Sequence, residues 1–173
     1  ANIWDDPKKI YKVRSKVGLV FQYPEYQLFE ETVYLDIAFG PKNMGLSEQD
    51  IKTRINDICS LLGIPEEYLE KSPFDLSGGE KRRVAIAGVM AMRPHNLVLD
   101  EPAAGLDPMG RQQVLDSIKK LHETKKITVI LVSHSMEDMA KYASPLVVMH
   151  KGEIALTAEP PHQLRIKNYE FEG

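Results

Sequence analysis

Leu76-Ser77-Gly78-Gly79-Glu80 runs directly into a helical stretch, Lys81 to Met92, that ends at Arg93-Pro94. Ser77 with Glu80 three residues later is a capping box, so the spacing predicts a helix that begins here. Gly78 and Gly79 are poor helix formers in its first turn. What they offer is close approach. Without β-carbons beside them, the first backbone N–H groups can face an anion. The helix dipole and the Ser77 hydroxyl then favour a phosphate there. Alone, the stretch equally describes an ordinary capped helix with a Gly-rich lead-in.

Three downstream stretches sharpen it. About twenty residues on comes Asn96-Leu97-Val98-Leu99-Asp100-Glu101-Pro102, then Ala104-Gly105-Leu106-Asp107, then Val129-Ile130-Leu131-Val132-Ser133-His134. Leu97 to Leu99 is a continuous apolar strand of the kind found inside parallel sheets. Asp100 comes directly after it, where such a sheet exposes its strand ends to ligand. A carboxylate there can hold magnesium, usually through water. The adjacent Glu101 can polarise an attacking water. Two acids at a strand end are often merely solvated; the apolar run before them and Pro102 after them argue otherwise. Asp107 is an N-cap candidate for the next helix.

These four elements, in this order and spacing, resemble the ATPase subunit of ATP-binding cassette (ABC) transporters. The resemblance implies an α/β, P-loop NTPase fold with a helical signature subdomain. It also implies roles. Asp100 with Glu101 matches the Walker B motif and its catalytic glutamate. Gln22 matches the Q-loop glutamine, which contacts magnesium and the attacking water. His134 matches the switch histidine at the terminal phosphate. Asp107 matches the D-loop aspartate, which acts across a dimer. Ser77, Gly78, Gly79 and Glu80 form the signature that closes on ATP held by the opposite subunit. The implied chemistry is phosphoryl transfer to water, driven by positioning and charge neutralisation, with ATP and Mg2+ as cofactors.

Composition sets bounds on this reading. The 173 residues suffice for one domain with a core, and 43% hydrophobic with 27% charged residues is ordinary for a globular protein. A net charge of −3 gives no support to a nucleic-acid surface. The single cysteine, Cys59, excludes a disulfide framework and sits on the apolar face of a predicted helix. No apolar run approaches the roughly 20 residues needed to span a bilayer. No signal-peptide pattern is present. A cytosolic-type chain is expected, joined to a membrane only through partners.

In chain order, residues 1–16 form a polar lead-in containing Trp4, with a weak helical pattern at Ile10 and Val13. Val17 to Phe21 reads as a buried strand and Tyr23 to Phe29 as a loop. Glu31 to Gly40 has helical spacing and is expected to stop at Gly40-Pro41. Ser47 caps the clearest helix, with Ile51, Ile55, Ile58, Leu61 and Leu62 as its stripe and Gly63 as its end. A connector, Ile64 to Leu76, leads to the signature helix. Asp107-Pro108 opens a helix with Val114, Leu115, Ile118 and Leu121 on its buried face. Thr128 to Val132 is a strand, Ser135 to Tyr142 a short helix, and Leu146 to Met149 a third strand. Lys151-Gly152 turns into a hairpin strand, Glu153 to Leu156. Pro160-Pro161 and a polar tail close the chain. The expected organisation is a partial ATPase core over 1–23 and 93–173, with a helical signature subdomain over 24–92. His95, His122, His150 and His162 show no partner pattern and read as surface residues.

A P-loop needs Gly-Lys followed by Ser or Thr. None of the 11 glycines is followed by lysine. The resemblance places that motif upstream, so the chain reads as the C-terminal two-thirds of an ABC ATPase, lacking its N-terminal strands and P-loop. A gap with unpaired backbone is then expected beside the strand that leads to His134. Another chain, or the rest of a longer protein, would have to fill it.

The run from Phe21-Gln22-Tyr23-Pro24-Glu25 to Asp36-Ile37-Ala38-Phe39-Gly40-Pro41 narrows the resemblance. So do Ser72 to Gly79, Arg82 to Val89 and Val147 to Gly152. They resemble the ATPases of energy-coupling factor (ECF) importers, nearest the second of the two. Two departures stand out: Glu80 replaces the commoner Gln, and Ala103 the commoner Thr. The resemblance implies uptake of vitamins or of cobalt and nickel. It implies a sister ATPase subunit, a transmembrane scaffold contacted by the Q-loop region, and a substrate-capturing membrane subunit. It places the protein peripherally on the cytoplasmic face of the membrane. Two other readings compete. A DNA-repair-type ABC ATPase would carry long coiled coils between Q-loop and signature. Here about 54 residues separate Gln22 from Ser77, with no sustained heptads. A non-catalytic docking fragment fits the missing P-loop but not the intact Gln22, Asp100, Glu101 and His134.

Overall fold

The computed structural model describes residue 10 and residues 15–158. The polar lead-in around Trp4 and Val13, and the tail with His162 and Arg165, lie outside the described residues. Two compact units are present, one ending at Val132 and one beginning at Ser133.

The first unit is built on a parallel sheet in the order β1 (Val17–Val20), β2 (Asn96–Asp100), β3 (Thr128–Val132). Its register places Gly18, Leu97 and Val129 in one row, and Leu19, Val98 and Ile130 in the next. Side chains alternate across a strand, so these rows face opposite sides. Leu97 and Leu99 are fully buried. β3 pairs with β2 alone among the described residues, leaving its other edge open as expected.

Four α-helices of defined extent follow among the described residues of this unit. α1 (Val33–Asn43) starts at Thr32, whose hydroxyl accepts the Leu35 N–H at 3.3 Å. It does not stop at Gly40-Pro41 as the sequence suggests; Pro41 lies inside it, buried. A proline disfavours helix before it chiefly through the preceding residue's β-carbon, and Gly40 has none. Gly40 serves close packing instead: a β-carbon there would lie 2.7 Å from Met92. α2 (Glu48–Leu62) is capped by Ser47 and closed by Gly63 in the left-handed region. Of its expected stripe, Ile51, Ile55, Ile58 and Leu62 are buried, with Cys59 beside them, while Leu61 is half-buried. Burial pushes the Cys59 thiol up to about 12, so it is an inert packing group. α3 (Gly78–Ala91) and α4 (Pro108–Lys125) complete the layer. Arg54 on α2 donates to the Ala91 carbonyl at 3.1 Å, closing the end of α3. Short 3-10 turns at Glu66–Tyr68 and Pro73–Asp75 fill the connector.

The second unit holds α5 (Met136–Tyr142), capped by Ser135, and an antiparallel hairpin of β4 (Leu146–His150) and β5 (Glu153–Ala158). The Lys151-Gly152 turn has both φ values positive, at 49° and 83°, as a tight hairpin requires. β4 therefore belongs to a separate two-stranded sheet rather than extending the parallel one.

Candidate functional site

The parallel register decides what meets at the sheet's C-terminal edge. Val20 lies opposite Leu99, and Asp100 opposite Val132. Gln22, Asp100 and Glu101 thus emerge from neighbouring strands on the same edge. Gln22 is exposed; Asp100 and Glu101 are half-buried. The Glu101 N–H donates to the Val132 carbonyl at 2.9 Å, carrying the sheet one residue further. Glu101 then takes φ 45°, a left-handed backbone uncommon for a residue with a β-carbon. Such strain persists only where surrounding structure holds it, and it clusters at working sites. Here it turns the chain away directly after Asp100.

The signature turn forms as its sequence requires. Ser77 is the N-cap of α3, and the capping box is complete. The Glu80 N–H donates to Ser77 Oγ at 3.4 Å. Glu80 Oε2 accepts from the Ser77 backbone N–H at 2.8 Å and from its hydroxyl at 2.7 Å. Glu80 Oε1 accepts from the Tyr68 hydroxyl at 3.0 Å. The Ser77 bonds hold the Glu80 carboxyl below its usual range, and Glu80 raises the Tyr68 phenol. Ser77 and Gly78 are exposed.

The signature meets the Ala104-Gly105-Leu106-Asp107 stretch. A β-carbon on Gly78 would stand 3.4 Å from Leu106, and one on Gly79 3.8 Å from Gly110. Asp107 caps α4, its Oδ1 accepting from the N–H groups of Met109 and Gly110 at 3.0 and 2.9 Å. Gly105 has φ 71° with the Tyr23 ring against it, a conformation and a space that both favour glycine.

Arg82 joins these parts. It is 1% exposed, the one charged residue among the buried described residues. Nε and Nη2 both donate to the Glu25 carboxylate at 3.0 Å, and Nη1 donates to the Pro102 carbonyl at 3.0 Å. Tyr23, left-handed at φ 54°, lies with its ring 5.6 Å from the guanidinium carbon.

A groove of about 440 Å³ opens between α1 and α3, beside the loop after β1. Phe29 and Phe39 stack edge-to-face at its rim, 4.9 Å between centroids, and both are exposed. Asp36 lines it. Its Oδ1 accepts from the N–H groups of Phe29 and Glu30, while its buried Oδ2 has no hydrogen-bond partner. Burial raises the Asp36 carboxyl above its ordinary value.

His134 belongs to the second unit, where it is exposed; Ser133 Oγ next to it accepts from the Ser135 N–H at 3.1 Å. Among the described residues no three His, Cys, Asp or Glu side chains cluster as a metal site. No described helix is long and apolar enough to cross a membrane.

A family profile described as "ABC transporter" matches residues 2–104. The chain belongs to the ABC transporter family. Its relatives include the energy-coupling factor transporter ATP-binding protein EcfA2 of Caldanaerobacter subterraneus subsp. tengcongensis, 55% identical over 95% of this chain and 57% of that protein. The protein of the same name from Clostridium tetani is 61% identical over 88% of this chain and 53% of its own length. A solved structure of cbiO1 from Clostridium perfringens, titled as part of the ABC transporter complex cbiONQ, superposes with a TM-score of 0.84. It is 40% identical and covers 90% of this chain and 61% of that one. The expected resemblance to the second ECF ATPase is borne out. The chain spans about half the length of the curated relatives it matches, somewhat less than the expected two-thirds.

As an ABC chain, it carries one site residue that motif reading passed over. Arg82 entered the sequence reading only as part of the Arg82 to Val89 run, with no role of its own. Its partners Glu25 and Pro102 lie 57 and 20 residues away, beyond any local spacing rule.

Proposed function

We propose that the full-length protein is the ATP-binding and ATP-hydrolysing subunit of an ECF-type ABC importer, and that this chain is its signature and Walker B portion. Uptake of vitamins or of cobalt and nickel is the transport it energises. The observation that carries the reading is the meeting of Gln22, Asp100 and Glu101 at one edge of a parallel sheet. In this reading Gln22 and Glu101 orient and polarise the attacking water. Asp100 and Gln22 contribute oxygens to magnesium, a hard cation that keeps several waters and phosphate oxygens and needs no all-protein cage. The absence of a three-ligand cluster among the described residues is compatible with that. His134 contacts the terminal phosphate. Ser77, Gly78, Gly79, Glu80 and Asp107 face nucleotide held by a sister ATPase, so the working unit is a dimer.

Residues 24–92 act as the signature subdomain against a core of 1–23 and 93–173. The groove rimmed by Phe29 and Phe39 supports contact with a transmembrane scaffold, which in turn works with a substrate-capturing membrane subunit. An exposed aromatic pair beside a groove is the kind of surface that marks a protein contact. The protein then sits on the cytoplasmic face of the membrane without crossing it.

The first test is calorimetry with ATP and magnesium. The 173-residue chain should not bind, because it contains no Gly-Lys phosphate cradle. The protein extended upstream to its relatives' length should bind and hydrolyse. Glu101→Gln should keep binding and lower turnover by about 100-fold or more. An extended protein that fails to bind ATP would instead support the docking-fragment reading.

A further inference from the structure

We propose that Arg82 is a positioning residue that locks the Gln22 loop, the signature helix and the turn after Glu101 into one moving part. The proposal rests on the ATPase reading and adds how its separate groups keep their mutual placement. One guanidinium reaches all three segments. Its fork holds both oxygens of Glu25, three residues after Gln22. Its remaining terminal nitrogen holds the carbonyl of Pro102, next to Glu101. Arg82 itself sits in the second turn of α3, five residues from Ser77.

Energetics favour a positioning role over a stabilising one. The Arg82 and Glu25 side chains are only 2% and 16% exposed. Taking two charges out of water costs about what their attraction returns, so an apolar pair of similar volume would serve stability as well. An apolar pair would slide. A bidentate fork fixes direction as well as distance, and lysine cannot reproduce it. The Tyr23 ring packs on one side of this link and against Gly105 on the other, so the loop after β1 is also held to the stretch that caps α4. A displacement of the signature helix must therefore drag Glu25 and Pro102 with it.

The test compares Glu25→Gln, Arg82→Lys and the double variant in the upstream-extended protein, scored only for variants that melt well above the assay temperature. Turnover should fall about tenfold or more in each single variant while the KM for ATP stays within about twofold, because the chemistry loses alignment and not nucleotide. The double variant should be no worse than the poorer single one. Folded variants with turnover within twofold of the parent would overturn the proposal. So would losses that merely track the fraction unfolded. Should Arg82→Lys fail to fold, Glu25→Gln decides, since it keeps nearly the same volume. A parent without ATPase activity would sink the function reading alone. Amide exchange in the 173-residue chain then decides the link. Glu25→Gln should speed exchange over residues 22–28 and 101–106 and leave α2 unchanged. Unchanged exchange in both segments would refute it.

Discussion

The two faces of the three-stranded sheet have nearly the same sequence character and opposite fates. On one face Val20, Leu97 and Leu99 are buried, and Gly18 faces Val89 of α3. On the other, Leu19 is 42%, Ile130 51% and Val132 48% exposed. Parallel strands are apolar on both sides because both sides are normally covered. Among the described residues of the first unit, helices cover one side of this sheet only. The covered face therefore carries the energetics of the first unit, while the open face carries composition without burial. Apolar content alone does not identify a core; register plus cover does.

The sharpest way to break that comparison is a truncation on each face. Leu99→Ala should cost about 2–5 kcal/mol, the range for emptying a fully buried site. Ile130→Ala, on the open face, should cost about 1 kcal/mol or less, because most of its apolar area is already in water. Urea denaturation of both variants reads the difference directly. Equal losses would mean that the open face is covered in solution.

The same division explains how far the sequence could be read. Local signals were legible: the Ser77 capping box and the Ser47 and Asp107 caps form as their spacing implies, and so does the Ile51, Ile55, Ile58, Leu61, Leu62 stripe apart from Leu61, which is half-buried. So did the placing of Asp100 at a strand end, because an apolar run followed by acids is a local pattern. Non-local facts were not legible. Pro41 continues α1 because Gly40 lacks a β-carbon and packs on Met92, 52 positions away. Among the described residues β4 pairs with β5 alone, since a run of five residues carries no mark of which sheet it joins. The Arg82–Glu25 pair needs the folded approach of α3 to the loop after β1. For the site, sequence supplied each motif, and the parallel register supplied the meeting of Gln22 with Asp100 and Glu101.

Glu80 gives a smaller contrast, between a half-buried charge that is fully used and apolar groups that are exposed and idle. Its carboxylate accepts both Ser77 donors at the start of α3, where the helix dipole also favours negative charge. Glu80→Gln should cost from a few tenths to about 1 kcal/mol at neutral pH. The Ser77 bonds hold the folded carboxyl below its unfolded value. Its contribution is therefore present above the unfolded pKa and lost as pH falls through the folded one. The gap between parent and variant should close in acid. A gap that stays constant with pH would mean that shape, and not charge, makes the cap.

Asp36 reverses that sign, and the smallest effect is expected there. It is the polar counterpart of the open sheet face: one carboxylate oxygen left without a partner, but on the buried side. Oδ1 is held by two backbone N–H groups, Oδ2 by none, and burial raises the carboxyl above its ordinary value. A folded pKa above the unfolded one means that the fold favours the protonated form. Stability is then greatest below the unfolded pKa, near 4 for an aspartate, and declines as pH rises through the folded value. Asp36→Asn keeps the acceptor for Phe29 and Glu30 and removes the buried charge. It should match the parent in acid and exceed it by a few tenths of a kcal/mol at neutral pH, within the usual span of a single polar exchange. Urea midpoints across that pH range give the answer. If the parent is the more stable at neutral pH, the two backbone hydrogen bonds to a charged oxygen outweigh its desolvation. Asp36 would then be a structural brace for the loop after β1, not a strained carboxylate lining the groove.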